Sequence, residues 1–335
     1  KIVFMKIAIV KLSALGDIIH AMAVLQFIKK CDQEIEVDWF VEESFKELLE
    51  FHPDIHNVHE VKLKNAKNKK SLRLLLNELI RVRKLGRYDL VIDLQGLLKS
   101  AVISRLIPSI ITLGFDKSSL RERIAAVFYN KTLKYGYNKN VIERNFELIK
   151  FALEFTFKNE EILYKLPFLF PSKKYLIEGL SSIKKNIILI PGASHSSKRY
   201  PVEKFSELTN LLYANYIIIW GNEKERVIAE EIKARSGNVK ILEKISLDNL
   251  ISVIGQIDLV IGPDTGPTHI AWALNVPSIT LFGPTPGYRN TYITNINKII
   301  ESDSKVNPRK INKNDDSIKN IKISDISKLA QELLG

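Results

Sequence analysis

Short apolar runs alternate with helix-period segments along this chain, and the alternation is written twice with a break between. In the first half, Lys6–Lys11, Val37–Val41 and Tyr88–Leu94 read as strands. Ile18–Lys30, Phe45–Leu49, Ser71–Leu85 and Leu97–Leu106 carry apolar residues at helical spacing, with Gly86 as a C-terminal stop. In the second half, strands over 186–190, 217–220, 239–242, 259–261 and 278–282 alternate with helices over 202–214, 223–236, 247–255 and 267–274. Such alternation predicts an α/β protein with parallel sheets covered by helices on both faces. Leu163–Pro171, with prolines on either side of Phe168-Leu169-Phe170, interrupts the pattern. The expected organisation is a first domain over 1–166, a linker over 167–185, a second domain over 186–322 and a closing helix within 323–335. Between Tyr288 and Asp316 the pattern fades into a polar, Lys/Asn-rich stretch. Ligands of such folds bind at the carboxyl ends of the strands, so the cleft between the halves is the expected site.

At 335 residues the chain is long enough for two domains, and 45% hydrophobic with 26% charged residues is a globular composition. No run approaches the ~20 apolar residues of a membrane span. The start is too short for a secretory signal, and Met5 is a candidate natural start. Cys31 is the only cysteine, which excludes disulfides and Cys-based zinc sites and favours a reducing, cytoplasmic location. A net charge of +12 attracts nucleic acid, an anionic membrane or a phosphorylated substrate, unless the lysines only solubilise. Lys62, Lys64, Lys67, Lys69 and Lys70 are the densest cluster, in a segment that reads as a loop.

Three strand-to-helix turns could carry chemistry. Gly262-Pro263-Asp264-Thr265-Gly266, followed by Pro267-Thr268-His269, joins an apolar strand to a helix start. The positive helix end with its N–H groups suits a phosphate, and the same residues suit ordinary capping. Pro191-Gly192-Ala193-Ser194, then Lys198-Arg199-Tyr200-Pro201, offers close backbone approach, a hydroxyl and a point charge for phosphate. Glu223, after Trp220-Gly221-Asn222, suits either a ribose hydroxyl pair or the first turn of a helix. In the first half, Leu12-Ser13-Ala14-Leu15-Gly16-Asp17 has one glycine and is not a dinucleotide fingerprint. Its Asp17 suits an N-cap or a general base. His52, His56 and His59 raise a metal site, but Pro53 breaks the segment and no partner completes a ligand set. No Asp-x-Asp pair occurs to hold a divalent ion on a sugar diphosphate, so amides, Lys198 and helix dipoles would have to neutralise one.

Taken together, these segments resemble the bacterial lipopolysaccharide heptosyltransferases of glycosyltransferase family 9. Lys11–His20 is similar to the N-terminal signature and Asp93–Ser100 to the next block. Ser119–Glu122 with Phe128-Tyr129-Asn130 resembles a third, and Asp264–His269 with Phe282-Gly283-Pro284-Thr285 the nucleotide-sugar signature. The resemblance runs in order from about Met5 to Thr285. It implies a GT-B fold, two Rossmann-like domains facing each other across a cleft. It also implies inverting transfer of L-glycero-D-manno-heptose from ADP-heptose to Kdo of lipid A, with no metal or other cofactor. By position, Asp17 is the implied general base and Lys198 a second catalytic residue. Ser194, Lys198, Glu223, Asp264, Thr265, Gly266 and His269 are the implied donor contacts, and Ser13, Gly16 and Arg121 the acceptor contacts. The implied partners are ADP-heptose, Kdo-lipid A and the cytoplasmic surface of the inner membrane, with no nucleic acid. Arg121–Asn130 and Asp264–His269 look like the enzyme that adds the first heptose. Pro191-Gly192-Ala193 looks more like the enzyme that adds the second, and this is the alternative. The stretch Pro286-Gly287-Tyr288-Arg289 is shorter than the family's glycine-rich loop.

Two rival readings differ in class or donor. A non-catalytic basic module for nucleic acid or lipid headgroups would bind with steep salt dependence, but aromatic residues are not interleaved with the basic cluster. A transferase of the same architecture could use another nucleotide sugar.

Overall fold

The structure is a computed structural model and describes residues 5–335. It divides into two compact units, one extending to Phe168 and the other spanning Leu169–Gly335. Each unit is built on one parallel six-stranded sheet, as the alternation predicts.

In the first unit the strands are β1 (Lys6–Val10), β2 (Glu36–Glu42), β3 (Asn57–Val61), β4 (Tyr88–Asp93), β5 (Ser109–Phe115) and β6 (Lys131–Leu133). Their order is β3-β2-β1-β4-β5-β6, with Ile7 paired to Val37 on one side and Leu90 on the other. Chain order reverses direction between β1 and β4, so the loops leaving these two strands splay apart and open a crevice at the carboxyl edge. The central strands are apolar on both faces because helices cover both. Ala8, Val10, Phe40, Val91 and Ile103 share one buried cluster. The expected helix over Ile18–Lys30 is two, Leu15–Met22 and Val24–Cys31, meeting at Ala23. The 45–49 helix is a 3₁₀ turn, Glu43–Leu48. Lys62–Lys70, expected as a loop, instead contains the helix Leu63–Asn68, whose Ala66 is buried while its lysines stay in solvent. Ser71 caps the next helix, Leu72–Val82, by accepting the Leu74 N–H.

The second unit repeats the plan. Its strands are β7 (Lys185–Leu189), β8 (Ala214–Ile218), β9 (Val239–Ile241), β10 (Leu259–Pro263), β11 (Ser278–Phe282) and β12 (Asn297–Glu301), in the order β12-β11-β10-β7-β8-β9. The reversal lies between β7 and β10. Gly262 is needed there: a Cβ on it would stand 2.6 Å from the Ile190 Cβ, just beyond β7. Ile187, Leu189, Phe205, Tyr216, Leu259 and Leu281 form the core, closed by Ile326 and Ala330 of the helix Ile323–Leu334. Residues 165–184 contain neither helix nor strand.

Candidate active site

In the first unit, β1 leads into Lys11-Leu12-Ser13-Ala14 and then the helix Leu15–Met22. Asp17 is the third residue of that helix; its carboxylate is exposed and accepts the Ala14 N–H at 3.3 Å. The cap position belongs to Ala14, so Asp17 is not the N-cap that the sequence allowed. The turn is held from β4. Gln95 Oε1 accepts the Leu12 and Ser13 N–H groups at 2.7 and 3.2 Å, and Gln95 Nε2 donates to the Ser13 hydroxyl at 3.3 Å. Lys99 Nζ donates to the same hydroxyl at 2.6 Å. Burial lowers the Lys99 ammonium, against the nearby Glu42, Glu122 and Asp17 carboxylates.

The support beneath is Asp93, fully buried at the end of β4. Its carboxylate accepts the Gln95 and Gly96 N–H groups at 2.8 and 3.0 Å and the Tyr129 hydroxyl at 2.8 Å. Burial raises this carboxyl, and those donors offset only part of the rise. Gly96 sits at φ 66°, a conformation that favours glycine, and turns the chain so that Gln95 reaches back toward Ser13. Arg121 is exposed, 3.7 Å from Glu122.

The second unit gathers its polar groups on one buried carboxylate. Asp264, at the end of β10, is 7% exposed. Its Oδ2 accepts from Lys198 Nζ at 2.9 Å, from the Thr285 hydroxyl at 2.9 Å and from Asn290 Nδ2 at 3.3 Å. Its Oδ1 lies 3.1 Å from His269 Nε2. Burial alone would raise the carboxyl; the Lys198 ammonium and His269 overcome it and hold Asp264 well below the usual carboxylate range. Lys198 comes from the turn after β7, so this ion pair bridges the two sides of the reversal between β7 and β10.

Thr265 is the N-cap of the helix Gly266–Ala273, and its N–H donates to the Thr268 hydroxyl at 3.3 Å. Gly266 is the first helical residue, whose N–H has no partner within the helix. Ser194 is exposed beside this crevice in the Pro191-Gly192-Ala193 turn. Lys198 brings a positive charge and the helix start a positive partial charge, which together suit a diphosphate.

The sequence pattern of Glycosyltransferase family 9 (heptosyltransferase) matches residues 78–320. The chain belongs to this family. It is 44% identical to Lipopolysaccharide heptosyltransferase 1 of Campylobacter coli, over 99% of each chain. Identity to the Pseudomonas aeruginosa protein of the same name is 30%, covering 86% of this chain and 81% of the other. The Escherichia coli heptosyltransferase WaaC with ADP superposes with a TM-score of 0.80 at 24% identity, over 98% of this chain and all of that one. The fold is accordingly GT-B, as the resemblance implies, and the chain is a glycosyltransferase of the heptosyltransferase family.

Within that family fold, the structure brings together Lys198, Asp264 and His269 by direct contact, and Ser13 with Gln95 and Lys99. Glu223 stands apart from these contacts: it opens the helix Glu223–Arg235 behind the N-cap Asn222, is exposed, and lies 3.6 Å from Arg226. Sequence reasoning assigned no role to Gln95, Lys99, Asp93, Tyr129 or Asn290. The first four lie inside segments that resemble family blocks, which was the available signal. Asn290 had none, because the short helix Gly287–Asn290 that aims it at Asp264 starts inside a stretch with no clear period. The three histidines part company. His56 Nδ1 and His59 Nε2 lie 3.2 and 3.1 Å from the buried Asp38 carboxylate, while the His52 ring accepts the Asp54 N–H. Among the described residues no group of three or more His, Cys, Asp or Glu is arranged to hold a metal ion.

Proposed function

We propose that this chain transfers the first L-glycero-D-manno-heptose from ADP-heptose to Kdo of lipid A, with inversion and without a metal, at the cytoplasmic surface of the inner membrane. The observation that carries the reading is the end-to-end 44% identity to a lipopolysaccharide heptosyltransferase 1. The paired Lys198 and Asp264 beside the half-buried start of the helix Gly266–Ala273 support the chemistry it needs.

In this reading the second unit holds the donor. Asp264 orients Lys198, which uses one of its three N–H donors on the carboxylate and presents others to the phosphates. The Gly266 amide adds a backbone donor, and the Ser194 hydroxyl a further contact. Thr265 acts through its cap geometry, since its own N–H is taken by Thr268. His269 steadies Asp264 from the opposite side. Glu223, exposed at a helix start, is the candidate for the ribose hydroxyls.

The first unit presents the acceptor. Asp17 takes the proton of the attacking Kdo hydroxyl. That oxygen bonds to the anomeric carbon as the bond to the β-phosphate oxygen breaks, and ADP departs with the pair. Ser13 and Gly16 shape the turn that carries Asp17, and Arg121 offers a cation to the acidic acceptor. The negative charge that develops on ADP is met by Lys198 and the helix end, which is where fixed positive groups lower the barrier. A metal ion has no required part in this scheme.

The test supplies ADP-heptose, UDP-sugars and GDP-sugars separately with Kdo-lipid A and follows nucleotide release and product mass. One heptose added from ADP-heptose alone is expected. No transfer from ADP-heptose would overturn the reading, and transfer only to an acceptor already bearing one heptose would assign the second addition instead.

A further inference from the structure

The helix Leu72–Val82 turns one face inward: Glu78 and Val82 are buried, and Leu79 packs against the first unit's core. The face flanking it carries apolar residues in solvent. Leu72, Leu76 and Ile80, spaced by four and therefore in line on the helix, are 69%, 50% and 55% exposed. Arg73 on the same helix, Lys69 and Lys70 before it, and Arg83, Lys84 and Arg87 after it are also exposed. From Lys62 to Arg87 the chain has ten Lys or Arg and a single acid, Glu78. That carboxylate is consumed internally: it accepts the Lys62 N–H at 2.8 Å and pairs with Arg81 at 2.6 Å. No helix among the described residues is long and apolar enough to cross a membrane.

We propose that this face is a lipid-docking surface: the helix Leu72–Val82 lies in the headgroup plane of an anionic membrane, with Leu72, Leu76 and Ile80 seated among the acyl chains and its flanking cations on the lipid phosphates. The charge decides the occupant. A protein-binding groove would show acids among the bases, and a nucleic-acid surface would have no use for a row of exposed leucines. A stripe of Leu and Ile edged by Lys and Arg without acids is the pattern of an interfacial helix on anionic lipid.

Its neighbour is the helix Leu98–Leu106, against which it packs. That second helix carries Lys99 in its first turn, the residue that donates to Ser13 beside Asp17. Docking would therefore put the acceptor-side turn of this unit close to the lipid surface. The inference deepens the reading above and rests on it for its lipid-linked acceptor.

The experiment is sedimentation of the full chain with vesicles of phosphatidylcholine containing about 30 mol% phosphatidylglycerol, and with pure phosphatidylcholine vesicles. The wild-type chain should bind the anionic vesicles and release as salt rises. The triple variant Leu72→Gln, Leu76→Gln, Ile80→Gln keeps every charge and should bind at least about tenfold more weakly. Its circular dichroism, and its transfer of heptose to a short soluble Kdo acceptor, should be unchanged. Should that variant fail to fold, the pair Arg73→Gln, Lys84→Gln answers the same question by losing the preference for anionic lipid. Equal vesicle binding by folded variant and wild type overturns the surface, as does binding to polyuridylate but not to vesicles. Failure of transfer from ADP-heptose with vesicle binding intact would instead overturn the proposed reaction and leave the docking surface standing.

Discussion

Lys198→Met is the perturbation that tests the second unit's organisation most directly. Methionine keeps the length and most of the volume of the lysine stem and deletes the ammonium. Lys198 and Asp264 side chains are 11% and 8% exposed and 2.9 Å apart, so water is poorly placed to replace the lost charge. Removing one partner of a buried pair costs about 3–5 kcal/mol, because the other charge stays buried and uncompensated. For a unit of this size each kcal/mol shifts the melting temperature by roughly 2–4 °C, so a fall of roughly 6–20 °C is expected at neutral pH. The sign of the pH dependence follows from Asp264. Its folded pKa is depressed, so its contribution is present above the unfolded carboxylate value of about 3.9 and is lost as pH falls through the folded value. In Lys198→Met burial dominates, the carboxyl is pushed up, and protonation relieves it. The gap between wild type and variant should therefore be widest at neutral pH and narrow in acid. The double variant Lys198→Met, Asp264→Asn removes the stranded charge and should recover part of the loss. Scanning calorimetry from pH 7 to pH 4 reads all three proteins. A shift below about 2 °C at pH 7, or a gap that does not close in acid, would refute the argument that this pair is a buried, mutually dependent unit.

The other expectations follow from single contacts. Asp17→Asn should lower transfer by about 10²–10⁴-fold, the range of a lost general base, with ADP affinity nearly intact by calorimetric titration; unchanged turnover would reduce Asp17 to a helix-start residue. Tyr129→Phe removes a donor to the buried Asp93 and should cost about 1–3 kcal/mol in urea unfolding, and a neutral result would mean that Asp93 does not depend on it. Burial lowers the His52 imidazole to about 4, so stability should fall as pH drops below about 6.5 and level off near pH 4, by about 3 kcal/mol in all; His52→Asn should flatten that slope. Turnover in excess EDTA should match turnover in added Mg²⁺, and loss that only the cation restores would end the metal-free reading.

Much of the fold could be read before any coordinates because the central strands of a doubly covered parallel sheet are apolar on both faces. Val37–Val41, Tyr88–Leu94 and Ser278–Phe282 announced themselves for that reason. The strands that escaped lie toward the sheet edges. Asn57-Val58-His59-Glu60-Val61 carries polar residues where an edge strand meets solvent, and Lys131–Leu133 is too short for any period to appear. Asn297–Glu301 hides in the Lys/Asn-rich stretch, although Asn297 is buried and donates to the Val276 carbonyl. Lys62–Lys70 read as a loop because its charges mask the single buried Ala66 that anchors the helix. The turns that carry the candidate site were legible because Gly, Pro, Asp and Thr mark strand-to-helix junctions. What those side chains touch was not. A reading of neighbours along the chain cannot show that Lys198 closes on Asp264 66 residues away, or that Gln95 holds Ser13 from 82 residues away.

Under the proposed function, those two long-range pairs let the same topology serve opposite chemistry in its two halves. Each unit leaves an acid in a turn at the carboxyl edge, beside the point where strand order reverses. In the second unit the acid is buried and surrounded by donors, so its negative charge is spent on holding Lys198, Thr285 and Asn290 in place. What this leaves for a ligand is positive: an ammonium with donors to share and a helix N-terminus. In the first unit the arrangement is inverted. The buried acid is Asp93, which fixes the Gln95–Gly96 turn, and Gln95 in turn fixes Ser13. Asp17 is exposed and near the Lys99 ammonium, and among the described residues its carboxylate takes one hydrogen bond, from the Ala14 amide. A carboxylate with four donors is a poor proton acceptor, and one with a single long amide contact keeps lone pairs available. The proposed division of labour therefore lies less in which residues the turns contain than in which carboxylate each unit buries. Exchanging that pattern, by giving Asp17 a second donor through Ala14→Ser, should slow transfer without weakening ADP binding. Steady-state kinetics would show it as a fall in kcat at constant donor affinity; a variant as fast as wild type would mean that availability of the Asp17 lone pairs does not govern the reaction.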